Sequence, residues 1–375
     1  MFGRCAPYPG SMHIMRAMRR TTPAPCRAAS IVVALLLAGC SGTTASTGRA
    51  TPRTHDPRST TTVTTASVPP GTNRRADDKT AAPLPAPAAL SPTSALSVPG
   101  QGEWLAAGRP VDGVPAVYET TLTPPGGSEP AGIAWMDTHL LSARLYSGSA
   151  SPGGGPYRYS APIGPAEAPT LEVAFNGGFM MDSAGGGYLT EGRVVVPLVI
   201  GAASLVIRSD GTVDVGAWGS DVVMSPDVVA VRQNLVPLVE AGRPTPPASG
   251  PDWQAWGNTC GAASCAHSVP GVEQQWRSGV GVTTDGAVVY ATGPALTPLQ
   301  LALLLSDAGA VRAMELDINP SWTVLVTYDP VVPGAAAAPD NGTRLLAGTV
   351  QGPATFFEPW WARDFVTLSA RPPAG

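Results

Sequence analysis

Polar and apolar residues alternate along the segment from Ala313 to Pro320, at the period of a β-strand. Successive side chains of a strand point to opposite faces. One face therefore carries Glu315, Asp317 and Asn319, and the other carries Met314, Leu316 and Ile318. A helix pattern leads directly into this segment. Two carboxylates and an amide converging at a strand end predict a functional site, with a solvated strand face as the alternative.

The first forty residues have the pattern of a secretory signal. They contain no Asp or Glu, carry several arginines and then run through an unbroken apolar stretch from Ile31 to Leu37. That stretch is too short to span a bilayer as a permanent helix. It ends in Leu37-Ala38-Gly39-Cys40, which resembles a bacterial lipobox. The resemblance implies a lipoprotein signal peptide over residues 1–39 and a lipid on Cys40, so we expect an extracytoplasmic protein anchored to the outer face of the cell membrane.

Two of the five cysteines, Cys260 and Cys265, remain in the folded part, because two others precede the predicted cleavage site and Cys40 carries the lipid. An exported chain lies in an oxidising compartment, so we predict a disulfide between them. A zinc site is the rival interpretation. It needs about four ligands, and beyond the linker only His139 and His267 could complete the set. No metal site of this kind is predicted.

Residues 40–102 are rich in Thr, Ser, Pro and Ala. This composition buries too little apolar surface to offset the ordering entropy, so we predict a disordered stalk. Residues 103–375 then form one domain, since no second break of comparable length follows. Between Trp104 and Gly375, twelve arginines face twenty-three acidic residues. Nucleic-acid binding depends on a basic surface, so we expect no nucleic-acid partner. Monomer is the default, since no heptad pattern is visible.

Strand patterns dominate the domain. Asp210-Gly211 and Asp285-Gly286 each separate two strand patterns, as in tight hairpins. One helix is strongly indicated from Thr297 to Ala308, with a capping threonine, a first-turn proline and a glutamine at the capping-box position. A weaker helix candidate covers Pro226 to Leu235. The predicted class is α+β: a strand-rich mixed sheet with hairpins and a few packed helices.

Three further segments have residue types suited to a binding site. The turn Asn176-Gly177-Gly178-Phe179 follows an apolar strand pattern, and its glycines allow the backbone to approach a ligand; an ordinary tight turn is the alternative. Glu191 and Arg193 lie on one face if the chain is extended, so both could contact a ligand. An ordinary surface ion pair is the alternative interpretation. Arg277 opens the second hairpin, where a guanidinium suits bidentate capture of phosphate or carboxylate. A solubilising arginine is the alternative there.

Together these segments resemble the phosphodiester glycosidase family, which acts on N-acetylglucosamine-1-phosphodiesters. The family pattern runs from an Asn-Gly-Gly-Phe turn through an arginine before Gly-Val-Gly and a helix to an Ala-x-x-Leu-Asp strand. Here those motifs are Asn176 to Phe179, Arg277 to Gly281, Thr297 to Ala308 and Ala313 to Asp317. After Asp317 the family commonly continues with glycines, whereas this chain has Ile318-Asn319-Pro320-Ser321-Trp322. This departure indicates a divergent, actinobacterial-type branch with a rebuilt binding loop.

The resemblance implies a lipid-anchored hydrolase that cleaves a sugar-1-phosphodiester of a glycan or glycolipid in the cell envelope. Its candidate catalytic residues are Asp317, Glu315 and Glu191. The candidate substrate-binding residues are Asn176, Gly177, Gly178, Arg193, Arg277 and Asn319. No cofactor is assigned, although Asp182, Asp317 and Glu315 could hold a divalent cation through oxygen ligands. The alternative is a non-catalytic lipoprotein that binds an envelope glycan through Trp322, Trp360 or Trp361. A serine hydrolase is disfavoured, because no serine lies in a strand-elbow motif.

Overall fold

The computed structural model describes residues 82–250, 253–257, 273–318, 320–332 and 334–372. All of these residues belong to one compact unit. In chain order the strands are β1 (Leu105–Ala106), β2 (Val117–Leu122), β3 (Ala131–Met136), β4 (Leu141–Tyr146), β5 (Leu171–Asn176), β6 (Tyr188–Thr190), β7 (Arg193–Val196), β8 (Ala203–Arg208), β9 (Val213–Ala217), β10 (Val228–Gln233), β11 (Pro237–Glu240), β12 (Arg243–Pro244), β13 (Gln275–Thr283), β14 (Val288–Leu296), β15 (Ala310–Ile318), β16 (Leu325–Tyr328), β17 (Gly342–Arg344) and β18 (Phe365–Ala370). The α-helix α1 spans Pro298–Asp307, and short 3-10 helices cover Ala168–Thr170, Pro247–Ser249, Trp253–Trp256, Pro339–Asn341 and Pro353–Phe357.

The strands form three sheets. Their orders are β1-β2-β3-β14-β13-β15-β11-β12, then β7-β6-β10-β8-β9, then β17-β16-β5-β18-β4. Neighbouring strands of the described sheets pair antiparallel. The predicted excess of strands is confirmed. The finer prediction of a mixed sheet with a few packed helices is confirmed only in part: the described strand pairs are antiparallel, and one α-helix and short 3-10 helices accompany the three sheets in the described residues.

The signals that act over a few residues are confirmed. Strands β8 and β9 are joined through Gly211, and β13 and β14 through Gly286, with φ angles of 80° and 95° that suit glycine. At the start of α1, the Thr297 side chain accepts from the Gln300 backbone N–H, and Gln300 reaches back to the Thr297 backbone N–H. The predicted capping box is therefore present. Gly309, at φ 96°, follows the end of the helix.

The weaker helix prediction for Pro226 to Leu235 is wrong. Residues Val228–Gln233 form strand β10, which pairs with β6 on one side and β8 on the other. The segment contains three valines, and β-branched side chains fit the pleated surface of a central strand. A short apolar run of this length does not by itself distinguish helix from strand.

The end of the predicted stalk packs against the domain, so the predicted boundary near residue 102 needs correction. The Leu84 backbone N–H donates to Asp137 Oδ2 at 2.8 Å, and Trp104 Nε1 donates to the Ala88 carbonyl at 2.9 Å. Leu84 also packs against the apolar cluster beneath α1. A proline-rich segment has little backbone freedom to lose on docking. Residues 82–102 therefore belong with the domain.

Several predictions fall outside the described residues and stay predictions: the signal peptide of residues 1–39, the lipidated Cys40, the disulfide between Cys260 and Cys265, and the placement of Asn319. Within the described part of the chain, no helix has both the length and the apolar character needed to cross a membrane.

Strand ends from all three sheets meet at one place. The backbone N–H of Asp317, near the end of β15, donates to the Gly177 carbonyl just after β5 at 3.1 Å. Arg232, near the end of β10, pairs with Asp364, which immediately precedes β18. This meeting point brings together the strand end of β15, the Asn-Gly-Gly-Phe turn after β5 and the Asp317 carboxylate, and it contains most of the predicted site residues.

Candidate functional site

Asp317 lies at the centre of this meeting point and is 3% exposed. Its Oδ1 accepts a hydrogen bond from the Ile318 backbone N–H at 2.8 Å. Its Oδ2 has no hydrogen-bond partner among the described residues and lies 3.5 Å from Arg363 Nη1. Burial raises the pKa of Asp317 to about 6, although the nearby Arg363 guanidinium opposes that rise. The carboxyl group can therefore exchange a proton near neutral pH.

Arg363 supplies the positive charge that faces Asp317. Its side chain is 14% exposed, and its Nη1 also lacks a hydrogen-bond partner in the described structure. The guanidinium carbon lies 4.5 Å from the centroid of the Trp322 ring, a cation–π arrangement that fixes the plane of the guanidinium. A free acceptor and a free donor therefore lie side by side, and an unsatisfied buried polar group is costly unless a ligand or water satisfies it.

A second arginine and carboxylate form a closed pair beside the first. Arg232 donates to Asp364 through Nε at 2.7 Å and Nη2 at 3.1 Å, and both side chains are fully buried. Arg232 also donates to the Phe179 carbonyl. The bidentate geometry satisfies both charges, which is the condition for a buried ion pair to be tolerated. This pair anchors the Asn-Gly-Gly-Phe turn and fixes the chain at Asp364, next to Arg363.

The side chain of Asn176, predicted to bind substrate, forms all of its hydrogen bonds with other protein groups. Its Nδ2 donates to the Gly177 carbonyl and to Ser278 Oγ, at 2.8 and 3.0 Å. Its Oδ1 accepts from the Tyr290 hydroxyl at 2.7 Å and from the Val324 backbone N–H at 3.0 Å. The side chain is 1% exposed. An amide offers two donors and two acceptor lone pairs, so the position holds three strands together with no hydrogen-bonding capacity left for a sugar.

The two glycines of the turn allow close packing. A Cβ atom on Gly177 would lie 2.1 Å from Asp364 Oδ2, and one on Gly178 would lie 2.7 Å from Asn234 Oδ1. Any side chain would displace these two polar groups. Asn234 in turn donates to the Glu315 carbonyl at 3.0 Å. The glycines therefore bring the turn against β10 and β15, which is how the candidate carboxylates come together.

Arg277 and Glu315 form the third buried pair, with Nη1 2.6 Å from Oε2 and both side chains fully buried. Arg277 also donates to the carbonyls of Leu296, Trp256 and Glu273 at 2.8 to 2.9 Å. Burial raises the pKa of Glu315, and the Arg277 guanidinium opposes that rise. The guanidinium predicted to capture phosphate is thus enclosed by protein acceptors, and Glu315 is its counter-ion.

Glu191 and Arg193 lie elsewhere. Glu191, at φ 52°, and Gly192 form the turn between β6 and β7, and Glu191 Oε1 accepts from the Tyr159 backbone N–H at 2.9 Å. Arg193 lies with its guanidinium carbon 4.9 Å from the centroid of the Tyr157 ring. In the described part of the chain, neither side chain forms a hydrogen bond or an ion pair with Asp317. The described residues also contain no group of three or more His, Cys, Asp or Glu side chains arranged to hold a metal ion.

The sequence interpretation missed Arg232, Asn234, Arg363 and Asp364. Each lies at the end or just outside an apolar strand: Arg232 in the last two residues of β10, Asn234 directly after it, and Arg363 and Asp364 directly before β18. A polar cluster bordering a strand was the available signal, since this pattern had identified Asp317. Residues 232–234 form such a polar cluster, but the helix prediction for Pro226 to Leu235 meant that no strand end was predicted there.

The fold and the site define a strand-rich antiparallel domain in which the facing atoms of a carboxylate and a guanidinium lack hydrogen-bond partners among the described residues. No model of a protein family and no curated protein matches this chain. Among solved structures, it is similar to the catalytic domain of zebrafish N-acetylglucosamine-1-phosphodiester alpha-N-acetylglucosaminidase, at 16% identity and a TM-score of 0.40 over 72% of this chain and 88% of that one.

Two other solved structures are similar at the same distant level. One is a hypothetical protein from Synechocystis, with 11% identity and a TM-score of 0.35 over 69% of this chain and 63% of that one. The other is a putative exported protein from Burkholderia pseudomallei, with 13% identity and a TM-score of 0.32 over 64% and 74%. All three likenesses are weak, so the family of this chain stays a prediction from its motifs.

Proposed function

We propose that this chain is a hydrolase that cleaves a sugar-1-phosphodiester of a glycan or glycolipid in the cell envelope. One observation carries the proposal: the buried Asp317 Oδ2 and the Arg363 Nη1 are both without hydrogen-bond partners and lie 3.5 Å apart. Such a pair offers a base or nucleophile to an anomeric carbon and a cation to the phosphate bonded to it. The order of sequence motifs around Asp317 supports the same reaction class.

In this reaction Asp317 acts at the anomeric carbon in one of two ways. It takes a proton from the attacking water, or it attacks directly and forms a glycosyl ester that water then hydrolyses to free sugar. The bond from the anomeric carbon to the phosphate oxygen breaks, and the phosphate leaves with the electron pair. Arg363 stabilises the charge on that phosphate, the role first predicted for Arg277. A phosphate monoester is a good leaving group, so a second proton-donating carboxyl group is not required.

The remaining charged groups position these two side chains. Glu315 holds the enclosed Arg277, and Asp364 holds Arg232; all four side chains are fully buried. Glu315 therefore takes a positioning role here in place of the proton transfer predicted for it. Because β15 carries both Glu315 and Asp317, the buried pair determines where the reactive carboxylate lies.

A second candidate function, non-catalytic glycan binding, is favoured by a different observation. Trp360 is 59% exposed, and its ring lies 6.4 Å from that of Trp361, which in turn lies 5.4 Å from Trp322. Trp361 is fully buried and cannot contact a sugar, so its predicted binding role is wrong. The exposed Trp360 ring suits stacking on a sugar, and Trp322 packs on Arg363 beside Asp317. In a hydrolase, Trp360 would hold the sugar of the substrate. In a binding protein, the same contact would hold a glycan that is not cleaved.

The decisive experiment uses the full chain and a panel of sugar-1-phosphodiesters that includes N-acetylglucosamine-1-phospho conjugates and envelope glycolipids. We expect release of free sugar, and a loss of at least about a hundredfold in rate for Asp317→Asn, in line with typical acid–base contributions. Asp340→Asn is the matched control, because Asp340 is exposed and lies in the short 3-10 helix Pro339–Asn341. Saturable glycan binding without release of sugar would establish the binding protein instead.

The anchored location is part of the proposal and has its own test. Cells that express the full chain are labelled with a radioactive or clickable fatty acid, and the protein is then isolated from the membrane fraction. We expect label on the wild-type chain and none on Cys40→Ser. Equal labelling of the two would exclude Cys40 as the lipidated residue.

A further inference from the structure

A cavity of about 500 Å³ lies away from the Asp317 site, where the edge strand β4 faces the far ends of β8 and β10. Its lining includes four arginines, Arg144, Arg158, Arg208 and Arg371. None of its lining residues belongs to the group that surrounds Asp317. The volume is within the range of small-molecule sites, roughly 300–1,000 Å³.

Two of the arginines have no acidic partner among the described residues. Arg144 and Arg158 are both exposed, and their guanidinium carbons lie 4.7 and 5.1 Å from the centroid of the Tyr159 ring. The ring attracts each cation, but two like charges over one aromatic ring repel each other. An anion bound between them would remove that repulsion and gain a charge-assisted hydrogen bond from each guanidinium.

The third cation, Arg371, is oriented by carbonyl groups. Its Nε donates to the Thr138 carbonyl at 2.9 Å and its Nη1 donates to the Asp210 carbonyl at 2.6 Å. Partial burial lowers the pKa of Arg371, and the nearby Asp210 and Asp137 carboxylates oppose that fall. Carbonyls hold a guanidinium in place without neutralising it. The Asp210 and Asp137 carboxylates lie near enough to favour its charged form but form no ion pair with it, so Arg371 keeps a charge that a ligand can contact.

The acidic groups of the cavity each satisfy neutral donors. Glu191 Oε1 accepts from the Tyr159 backbone N–H, and Asp210 Oδ1 accepts from the Thr212 backbone N–H, both at 2.9 Å. Arg208 is paired with Asp227 at 3.0 Å. Glu191 therefore fixes the backbone of the residue whose ring lies beneath the two free guanidinium groups.

We infer that this cavity binds a small organic anion bearing a phosphate monoester, of about the size of a sugar phosphate. Three cations without ion-pair partners converge on it, and a doubly charged phosphate can accept from several guanidinium groups at once. Glu191 belongs to this site as a positioning residue for Tyr159. The inference does not depend on the proposed hydrolysis, because the two sites share no residue.

Calorimetric titration of the full chain tests the inference, with glucose 6-phosphate as the probe, glucuronate as a carboxylate arm and glucose as the neutral arm. We expect binding of glucose 6-phosphate, weaker binding of glucuronate and none of glucose. Arg144→Gln and Arg158→Gln should each weaken glucose 6-phosphate binding by roughly tenfold or more, the range for a lost charged hydrogen bond. Higher salt should weaken binding as well, since these charges are exposed.

Arg243→Gln is the matched control, because Arg243 is also exposed and lies on β12, outside the cavity. Asp317→Asn should leave the titration unchanged, which separates this site from the candidate catalytic site. The inference is overturned if glucose 6-phosphate does not bind the wild-type chain at millimolar concentration. It is also overturned if Arg144→Gln and Arg158→Gln bind as tightly as Arg243→Gln, or if glucose binds equally well.

Discussion

Replacement of Arg277 by methionine separates a structural role from a substrate-binding one. The structure encloses this guanidinium, with Glu315 Oε2 at 2.6 Å and three backbone carbonyls at 2.8 to 2.9 Å. Methionine keeps much of the side-chain volume and removes every donor. The carboxylate of Glu315 would then be buried without its counter-ion. We therefore expect the variant to lose stability first, and any effect on catalysis to follow from that loss.

The expected magnitude follows from the burial of this pair. Removing one partner of a buried ion pair costs about 3–5 kcal/mol, because an uncompensated charge is left in the interior. Domains are stable by roughly 5–15 kcal/mol, so Arg277→Met should lose between a fifth and all of the free energy of unfolding. With a urea slope of about 3 kcal/mol per molar, the unfolding midpoint should fall by about 1 to 2 M.

Arg208→Met is the matched control. Arg208 pairs with Asp227 at 3.0 Å, but the two side chains are 31% and 47% exposed. Surface pairs contribute about 0–1 kcal/mol, so the same chemical change should shift the midpoint little. The assay is urea unfolding followed by tryptophan fluorescence, with the rate of sugar release measured at low urea. If Arg277→Met is as stable as Arg208→Met but has lost sugar release, Arg277 contacts the substrate and the structural assignment is wrong.

Three further predictions concern Asp317, Glu119 and Trp360. Sugar release should rise with pH through about 6, because burial raises the pKa of Asp317 to that value and the base acts only when deprotonated; a rate independent of pH between 5 and 7 would contradict this. Burial raises the pKa of Glu119 from 4.5 to about 7. The folded state therefore holds this proton more tightly than the unfolded state, and the free energy of unfolding falls as pH rises from 4.5 through 7. Glu119→Gln should therefore be more stable than wild type at pH 8, by up to about 3 kcal/mol, and equal to it at pH 4. Trp360→Ala should raise KM by about 2 to 10-fold through lost stacking, with little change in kcat; an unchanged KM would remove Trp360 from the sugar subsite.

The sequence predicted the parts of the fold that local chemistry determines. The capping box at Thr297 and the Asp285-Gly286 hairpin need only neighbouring residues, and both are present. Strand β10 was missed because its apolar run is short and its burial comes from β6 and β8 on either side. The arrangement of strands in three sheets is likewise a matter of long-range pairing, which no window of a few residues contains.

The same distinction explains which site residues were found. Asp317 was found because alternation along its own strand identifies it. The pairing of Arg232 with Asp364 joins residues 132 positions apart, and no local pattern links them. The role of Arg277 was misjudged for a related reason: its position at a strand entry is visible in the sequence, but the acceptors that enclose it come from four separate segments.

The charged residues of the site therefore divide by how closely their opposite charges approach and by whether they reach the surface. Arg232 with Asp364, and Arg277 with Glu315, have their opposite charges within 2.7 Å and no exposed surface. Asp317 and Arg363 are 3.5 Å apart, and each keeps an atom without a partner. Glu315 Oε1 also lacks a hydrogen-bond partner among the described residues, but its side chain is fully buried and a ligand at the surface cannot reach it. The Asp317–Arg363 pair is partly exposed and can gain from a ligand the hydrogen bonds that it lacks. Most of the charged motif residues thus hold the structure together, and we expect the chemistry at Asp317 and Arg363.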